Sequence, residues 1–285
     1  MVVKKEVIFW VLLFLCFFIV GCVEQIVEEE GIEGDVAVEN INVVNFSEVG
    51  LRDKIAQMII VEGKLDNLEA VSELNVGGIF FFALESEEDY KEMINRFDEK
   101  SKYPLFVSTD LEGCVNMLEN VRKFKYFNQV KDENESYELG VEMGNFMKSL
   151  GFNLNFAPVL DLEDTIWNCR SFNGGVEEVI KKGNAFIKGI NSQGVLSTAK
   201  HFPGRTLNVI DTHEVGGGVE VGFEDVVPFK ESADAGVSVV MLNHLSVSGD
   251  VDSEGLPSSL SENVVGELRV YFSGLIITDD LKMKA

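Results

Sequence analysis

The sequence predicts an α/β protein built as a TIM-type (β/α)8 barrel, and the order and composition of its segments lead to that class. Apolar runs of strand length recur along the chain and alternate with polar segments of helical length. The runs are continuously apolar, which is typical of parallel strands covered on both faces of a sheet. Seven strand–helix units follow one another without a long interruption, which favours a barrel. An open, doubly wound sheet is the alternative fold.

The predicted strands are seven apolar segments, at residues 55–61, 76–82, 105–109, 152–159, 195–199, 237–242 and 275–278. Helices are predicted for five of the segments between them, at residues 87–100, 135–150, 176–192, 224–235 and 261–271. From about residue 50 the chain is slightly shorter than the ~250 residues of a typical barrel. We therefore expect a barrel truncated after its seventh strand, as in a fragment of a longer coding sequence.

The composition excludes several classes of function. The 285 residues include 24 Lys or Arg and 48 Asp or Glu, so the formal net charge is −24, and 46% of the residues are hydrophobic. A chain this acidic repels nucleic acid and anionic lipid, so neither is an expected partner. Four Cys without a CxxC pair, together with only three His, exclude zinc-finger and disulfide-scaffold proteins.

Residues 1–22 form a predicted export signal. Lys4 and Lys5 precede an apolar run over residues 7–20, which is the pattern of a secretory signal and is short for a membrane span. The run ends in Ile19-Val-Gly-Cys22, which resembles a bacterial lipobox, where cleavage occurs before a cysteine that receives a lipid. We expect an exported, membrane-anchored lipoprotein with its lipid on Cys22. An uncleaved N-terminal anchor is the alternative.

Residues 23–48 are predicted to be an acidic, flexible linker. Residues 23–47 contain no Lys or Arg but several Glu, and like charges repel one another and extend the chain. The barrel domain is then expected to occupy residues 49–285.

Polar or titratable residues follow five of the predicted strands. They are Asp110, Asp161, the pair Lys200-His201, the pair Asn243-His244 and the pair Asp279-Asp280. The carboxyl ends of barrel strands converge on one mouth, where active sites are built. Charged groups that converge on a concave pocket are costly to desolvate unless a ligand or one another satisfies them. The pattern therefore predicts a polar binding site at this mouth.

Several of these residues lie in longer motifs. The motifs are Asp110-Leu-Glu-Gly113, Asn155-Phe-Ala-Pro-Val-Leu-Asp-Leu162, Arg170-Ser-Phe172, Ala199-Lys-His-Phe-Pro-Gly204, Asp211-Thr-His213, Val240-Met-Leu-Asn-His244, Pro257-Ser-Ser-Leu-Ser261 and Thr278-Asp-Asp-Leu-Lys-Met-Lys-Ala285. In these segments, from about residue 50 onward, the sequence resembles glycoside hydrolase family 3, in its single-domain β-N-acetylglucosaminidase branch. A Lys-His-Phe-Pro-Gly segment followed within about ten residues by Asp-Thr-His is a specific signal of that family.

The resemblance implies the catalytic residues. Asp279 would be the nucleophile, whose ionised carboxylate attacks the anomeric carbon, and Lys200 would lie near enough to keep it charged. Asp280 is the adjacent alternative, although neighbours on an extended strand point to opposite sides. His213 would be the general acid/base, with Asp211 as the carboxylate that orients its ring.

The resemblance also implies a sugar site formed by Asp110, Arg170, Lys200 and His201, because charged side chains recognise vicinal hydroxyls through paired hydrogen bonds. Asp161 could instead tie loops together at the barrel rim, and His244 could line the pocket floor. For Asp211-Thr-His213 taken alone, a loop turn is the competing interpretation.

Two segments depart from the family pattern. Cys114 stands where the family continues with Gly and then an Arg that contacts substrate, and Arg205-Thr206 replaces a His-Gly pair. Cys114 and Cys169 follow neighbouring strands, so they could form a disulfide or remain two buried thiols.

The function implied is an exo-acting, retaining glycosidase of β-N-acetylhexosaminidase type, releasing terminal β-linked N-acetylglucosamine from cell-wall or chitin-type saccharides. This function requires no cofactor. The expected partners are a small saccharide or peptidoglycan-derived substrate and, through the lipid anchor, the membrane. The oligomeric state is left open. The alternatives are a β-glucosidase of the same family and a membrane-tethered, non-catalytic sugar-binding lipoprotein. A metal site formed by His201, His213 and Asp279 is disfavoured, because no His-x-x-x-His spacing occurs.

Overall fold

A computed structural model describes residues 45–208 and 218–283, and its main feature is a parallel sheet of seven strands. The strands are β1 (Ile60–Glu62), β2 (Gly78–Phe80), β3 (Phe106–Thr109), β4 (Leu154–Asn155), β5 (Leu196–Phe202), β7 (Val239–Leu242) and β9 (Leu275–Thr278). They are hydrogen-bonded in the order of the chain, β1-β2-β3-β4-β5-β7-β9. A doubly wound sheet reverses its strand order at a switch point. The TIM-type prediction is therefore confirmed, and the doubly wound alternative is wrong.

Helices alternate with these strands, as the sequence predicts. They are α1 (Leu51–Ala56), α2 (Leu68–Leu74), α3 (Glu87–Lys100), α4 (Glu133–Leu150), α5 (Gly175–Asn191), α6 (Phe223–Asp234) and α7 (Glu262–Arg269). The α3 bounds are the predicted ones. α4 begins two residues earlier than predicted, because the Asp132 side chain caps the helix by accepting a hydrogen bond from the backbone N–H of Glu135.

The first predicted strand is partly wrong. Residues 55–61 were expected to be extended, but α1 includes Ile55, and only Ile60 and Val61 of that segment belong to β1. Ile55 is 54% exposed, so it does not serve as a buried strand residue. Short apolar runs fit helix and strand equally well, and here the helix takes the first part of the run.

A second, two-stranded sheet was not predicted. β6 (Val219–Val221) and β8 (Val247–Gly249) pair in parallel. Gly249 has φ 102°, and a Cβ atom there would lie 2.4 Å from the carbonyl oxygen of Val221. The close approach of the two strands at this point therefore requires glycine.

The hydrophobic core has two parts. The larger part lies between the strands and the surrounding helices and contains fully buried aromatic rings such as Phe81, Phe186 and Phe229. The smaller part is built from strand residues that include Leu154, Val239 and Met241. This two-sided burial explains the continuously apolar strand sequences.

Helices α4 and α5 pack with unusually close backbones. A Cβ atom on Gly140 would lie 2.5 Å from the carbonyl oxygen of Phe186, and one on Gly189 would lie 2.3 Å from that of Tyr137. Glycine on both helices is what permits this contact.

Within residues 45–208 and 218–283, every helix is too short or too polar to cross a membrane. The predicted export signal with Cys22 and most of the predicted linker lie outside the described residues.

Candidate active site

An ionic cluster lies at the carboxyl ends of β3 and β5. Asp110 directly follows β3, and Lys200 lies in β5 with its Nζ 2.7 Å from Asp110 Oδ1. Lys200 also contacts Glu112, whose side chain is fully buried. Arg170 approaches Glu112 from the segment between β4 and α5, with Nε 2.5 Å from Oε2 and Nη2 3.0 Å from Oε1. Two carboxylates thus face two cations.

The charges of this cluster stabilise one another. Burial alone would raise the pKa of Glu112, but the cations of Lys200 and Arg170 lower it to about 2. Burial also tends to lower the pKa of Lys200, but the carboxylates of Asp110 and Glu112 outweigh it and raise the value. Lys200 and Glu112 are therefore charged at neutral pH.

Asp110 is the less constrained carboxylate. Its side chain keeps 22% of its surface exposed, in contrast to Glu112. Burial raises its pKa, with the negative charge of Glu112 acting in the same direction and Lys200 opposing both. It is the acidic member of the cluster that solvent or a ligand can reach.

His201 extends the cluster toward a second buried acid. Its Nδ1 lies 2.8 Å from Asp161 Oδ2, and its Nε2 lies 3.5 Å from Arg170 Nη2. A carboxylate accepts hydrogen bonds, so the ring proton is assigned to Nδ1, which leaves Nε2 as an acceptor toward Arg170. The β5–β7 register shifts between Lys200 and Phe202, and this irregularity lets consecutive side chains serve the same site.

Asp161 also holds the chain that leaves β5. Its Oδ1 accepts a hydrogen bond from the backbone N–H of Thr206 at 2.9 Å. Directly after β7, the side-chain amide of Asn243 donates to the carbonyl oxygen of Gly204 at 3.0 Å and to Thr206 Oγ1 at 3.2 Å. Two buried side chains, one beyond β4 and one directly after β7, therefore fix residues 204–206 from the two sides of β5. The loop-tying role expected for Asp161 matches these contacts.

Asp279 and His244 lie at the ends of β9 and β7. The backbone N–H of Asp279 donates to Leu242, and its Oδ1 accepts from the N–H of Asp280 at 2.8 Å. His244 Nε2 lies 3.2 Å from the carbonyl oxygen of Asp280, and its Nδ1 lies 2.6 Å from Ser259 Oγ. His244 therefore holds the turn that follows Asp279.

The expected contact between Lys200 and Asp279 is not among these interactions. Within the described residues, the ion pairs of Lys200 are with Asp110 and Glu112. Asp280 directs its carboxylate to the backbone N–H of Lys282 and is exposed, while Asp279 is half-buried.

A disulfide joins the segments that carry Glu112 and Arg170. Cys114 and Cys169 are bonded, with their Cα atoms 6.0 Å apart. Each cysteine lies within two residues of one partner of the buried ion pair. The alternative of two free thiols is therefore not what the structure contains.

Asp164 organises the same segment. Its carboxylate accepts hydrogen bonds from the backbone N–H groups of Trp167, Cys169 and Arg170, at 2.7 to 2.9 Å. Burial tends to raise the pKa of Asp164, but these donors lower it overall. Asp164 is thus an ionised carboxylate whose oxygens are already used.

Asp211 and His213 lie in residues 209–217, outside the described residues, so their predicted roles stay predictions. Arg205, which departs from the family pattern, pairs with Asp225 on α6 at 2.9 Å. In the part of the chain that is described, no three His, Cys, Asp or Glu side chains are grouped as metal ligands.

Sequence reasoning assigned no role to Glu112, although it lies two residues after Asp110. Residues at i and i+2 of an extended segment share a side, and that spacing could have indicated a paired acid. The contact between Glu112 and Arg170 spans 58 positions of the chain, so no local sequence pattern predicts it.

This arrangement suits recognition of neutral hydroxyl groups. Lys200 and Arg170 are held in place by carboxylates, and Asp110 remains accessible as an acceptor. Charge-assisted hydrogen bonds from such fixed groups are short and directional, and they match vicinal hydroxyls of a sugar.

Comparisons with known proteins converge on one family. The model of the glycosyl hydrolase family 3 N-terminal domain matches residues 50–285. The chain is 31% identical over 260 residues to the β-hexosaminidase LpqI of Mycobacterium tuberculosis, covering 81% of this chain and 65% of that protein. It is 30% identical over 241 residues to a β-hexosaminidase of Haemophilus influenzae, covering 77% of this chain and 68% of that protein.

A solved structure has the same fold. The glycoside hydrolase family 3 β-N-acetylglucosaminidase from Paenibacillus sp. str. FPU-7 aligns with a TM-score of 0.70 and 29% identity, covering 82% of this chain and 50% of that one. The chain spans less than two thirds of the length of the mycobacterial relative.

Proposed function

This chain belongs to glycosyl hydrolase family 3, whose N-terminal domain it contains, and from that membership we propose an exo-acting, retaining hydrolase. Its substrate is terminal β-linked N-acetylglucosamine on cell-wall or chitin-type saccharides, including peptidoglycan fragments. The observation that carries the proposal is the buried Glu112, which holds Lys200 and Arg170 beside Asp110 at the carboxyl ends of the strands. The relatives named β-hexosaminidase support the choice of sugar.

In this proposal the terminal sugar is held by Asp110, Arg170, Lys200 and His201. Asp110 accepts hydrogen bonds from sugar hydroxyls, and the two cations donate to hydroxyl oxygens. Glu112 does not contact the sugar; it neutralises and orients the cations, so that their donors need no reorganisation when substrate binds. Asp161 acts in the same way on His201.

The chemical steps are assigned to Asp279 and to the pair of Asp211 and His213. The Asp279 carboxylate attacks the anomeric carbon, the glycosidic C–O bond breaks, and His213 gives its proton to the leaving oxygen. His213 then takes a proton from water, which attacks the glycosyl-enzyme and releases the sugar with its original configuration. Asp211 orients the imidazole and stabilises its charged form.

We also propose that the protein is exported and anchored through a lipid on Cys22. The apolar run before Ile19-Val-Gly-Cys22 supports export. The Cys114–Cys169 disulfide supports it independently, because disulfides persist in oxidising compartments outside the cytoplasm. Mass spectrometry of the membrane fraction tests the anchor: a diacylglyceryl adduct on Cys22 is expected, and an unmodified Cys22 contradicts it.

Activity is tested with p-nitrophenyl β-N-acetylglucosaminide. Wild-type protein is expected to release p-nitrophenol, and the Asp279→Ala and His213→Ala variants are expected to lose turnover. The matched control is Asp280→Ala, which removes the adjacent exposed carboxylate and is expected to stay active. Full activity of Asp279→Ala would show that the nucleophile is assigned wrongly.

Two alternatives give different results in the same assay. A β-glucosidase hydrolyses the p-nitrophenyl β-glucoside faster than the N-acetylglucosaminide. A non-catalytic sugar-binding lipoprotein binds N-acetylglucosamine by calorimetry and releases no p-nitrophenol over days. Cys114 in place of the expected Gly-Arg pair motivates this second alternative.

A further inference from the structure

A polar cavity lies beside the segment that carries Arg170. It has a volume of about 430 Å³ and opens between the turn Phe127–Gln129 and residues 162–174. Sites for small ligands commonly have 300–1,000 Å³, so a mono- or disaccharide fits this space. Most of its lining side chains are amides, hydroxyls or carboxylates, and Asn128, Ser171 and Asn173 are among them.

Two buried polar atoms on this cavity have no partner among the described residues. Ser171 is 4% exposed and its Oγ makes no hydrogen bond with them. Asn128 is partly exposed, but its Oδ1 atom is buried and also makes no hydrogen bond with them. The Asn128 side chain cannot simply rotate to satisfy that oxygen, because its Nδ2 donates to the carbonyl oxygen of Asn168 at 2.6 Å. Unpaired buried polar atoms are costly, so a hydrogen-bonding occupant is expected.

The charges around the cavity select the kind of occupant. Asp164 lines the cavity, and its negative charge repels anions. Its carboxylate already accepts three backbone hydrogen bonds, so it offers little to a metal ion. Glu163 adds a second carboxylate at the exposed rim. The groups that lack partners are a neutral hydroxyl and a neutral amide oxygen. Together these features favour a neutral ligand rich in hydroxyl groups.

An exposed aromatic residue lies on the segment that lines the cavity. Trp167 is 56% exposed and lies between Asp164 and Asn168, both of which line the cavity. An indole ring presents an apolar, electron-rich face, on which the C–H face of a sugar ring can stack. Hydroxyl and amide groups beside an open tryptophan are a combination suited to saccharides.

The cavity is separate from the sugar site described above. Ser171 forms a bridge with Val159, so the chain is extended there, and neighbouring side chains point to opposite sides. The Arg170 side chain points to Glu112, and the Ser171 side chain lines the cavity. A ligand in the cavity would therefore contact the outer side of the segment that forms one wall of the active site.

We propose that this cavity, together with Trp167 on the segment that lines it, is a second saccharide-binding site that holds polymeric substrate beside the active site. The choice of saccharide rests on the proposed function, whereas the existence of the site rests on the unpartnered atoms. Such a site increases affinity for long chains and leaves affinity for a single terminal sugar unchanged.

The test compares insoluble chitin with a small substrate. Co-sedimentation with chitin is measured in an Asp279→Ala background, so that hydrolysis does not remove the ligand, and KM for p-nitrophenyl β-N-acetylglucosaminide is measured with Asp279 intact. The variants are Trp167→Ala and Ser171→Ala. Ser171→Ala removes a hydroxyl that has no partner within residues 45–208 and 218–283, so it breaks no hydrogen bond in that part of the protein. Tyr137→Ala, an aromatic residue 43% exposed on α4, is the control.

Each cavity variant is expected to bind chitin roughly two- to tenfold more weakly, because it loses one hydrogen bond or one ring contact to the saccharide. Their KM for the small substrate is expected to stay within about twofold, and Tyr137→Ala is expected to bind chitin like the parent. Unchanged chitin binding in both cavity variants overturns the proposal, as does an equal loss in Tyr137→Ala. A parallel rise in KM also overturns it, because the cavity would then belong to the active site. Chitin binding that depends on Trp167 without any hydrolysis would contradict the proposed function alone.

Discussion

Glu112 and Arg170 form a buried, two-bonded ion pair across 58 positions of the chain, and the Cys114–Cys169 disulfide joins the same two segments. Glu112 also contacts Lys200, so a single fully buried carboxylate holds both cations of the candidate sugar site.

Replacing Glu112 with Gln leaves Lys200 and Arg170 without their shared buried partner. Breaking one side of a buried ion pair costs about 3–5 kcal/mol, so we expect the free energy of unfolding to fall by that order. Urea denaturation measures the change. The control is Glu142→Gln, which removes an exposed pair with Arg122 and should cost no more than about 1 kcal/mol. Equal effects of the two variants would contradict the role of Glu112.

The same carboxylate predicts a pH dependence of stability. Its pKa is about 2 in the folded protein against an ordinary value of 4.5, so its stabilising contribution is complete above pH 4.5 and is lost as the pH falls toward 2. The contribution is on the order of 3 kcal/mol. The raised pKa of Asp110 acts in the opposite direction, so the measurement is the difference between wild type and Glu112→Gln. A difference that stays constant between pH 6 and pH 2.5 would contradict the prediction.

The disulfide is expected to stabilise the segments around the ion pair. It links cysteines 55 positions apart, and a loop of that size is worth about 4 kcal/mol in the chain-entropy account. The Cys114→Ala/Cys169→Ala variant should unfold at lower temperature and bind N-acetylglucosamine more weakly, because Arg170 follows Cys169 directly. Reductant should lower the melting temperature of wild type and leave the double variant unchanged. An equal effect of reductant on both proteins would mean that another process is being measured.

Asp161→Asn tests the pairing with His201. Asp161 accepts hydrogen bonds from the His201 ring and from the backbone N–H groups of His201 and Thr206. An asparagine has one acceptor oxygen and an added donor, so one buried N–H loses its partner at a cost of about 1–3 kcal/mol. A double-mutant cycle with His201→Ala measures the coupling. A coupling energy near zero would contradict the assignment of Asp161 as the residue that orients the imidazole.

Two helical glycines predict opposite effects of the same substitution. A methyl group at Gly189 would lie 2.3 Å from the carbonyl oxygen of Tyr137, so Gly189→Ala is expected to destabilise the α4–α5 packing by about 1–3 kcal/mol. At Gly266 on α7 a Cβ atom would meet no atom of the described residues within 4 Å, so Gly266→Ala is expected to stabilise the protein by about 0.5–1 kcal/mol. Thermal unfolding of the two variants measures the contrast, and shifts of the same sign would contradict it.

The elements of the fold that were predicted correctly are those that depend on local patterns of apolar and helix-capping residues. Continuously apolar strands require cover on both faces, and that pattern led to a parallel sheet in chain order. The position of α3 follows from an amphipathic segment with Ser86 as its N-cap. The first strand was misplaced, because residues 55–61 carry no signal that separates helix from strand.

The amino-acid sequence by itself determined the family, the order of the strands and the placement of Asp110 after β3. It also placed Lys200 and His201 near the carboxyl end of the fifth strand, although β5 extends to Phe202 and does not end at residue 199 as predicted. Tertiary structure alone decided that Glu112 faces Arg170, that Cys114 bonds to Cys169, and that Asp161 carries the hydrogen bonds of His201. The physical reason is that these contacts join segments 40 to 58 positions apart. Burial and charge select such partners only after the strands have brought the segments together.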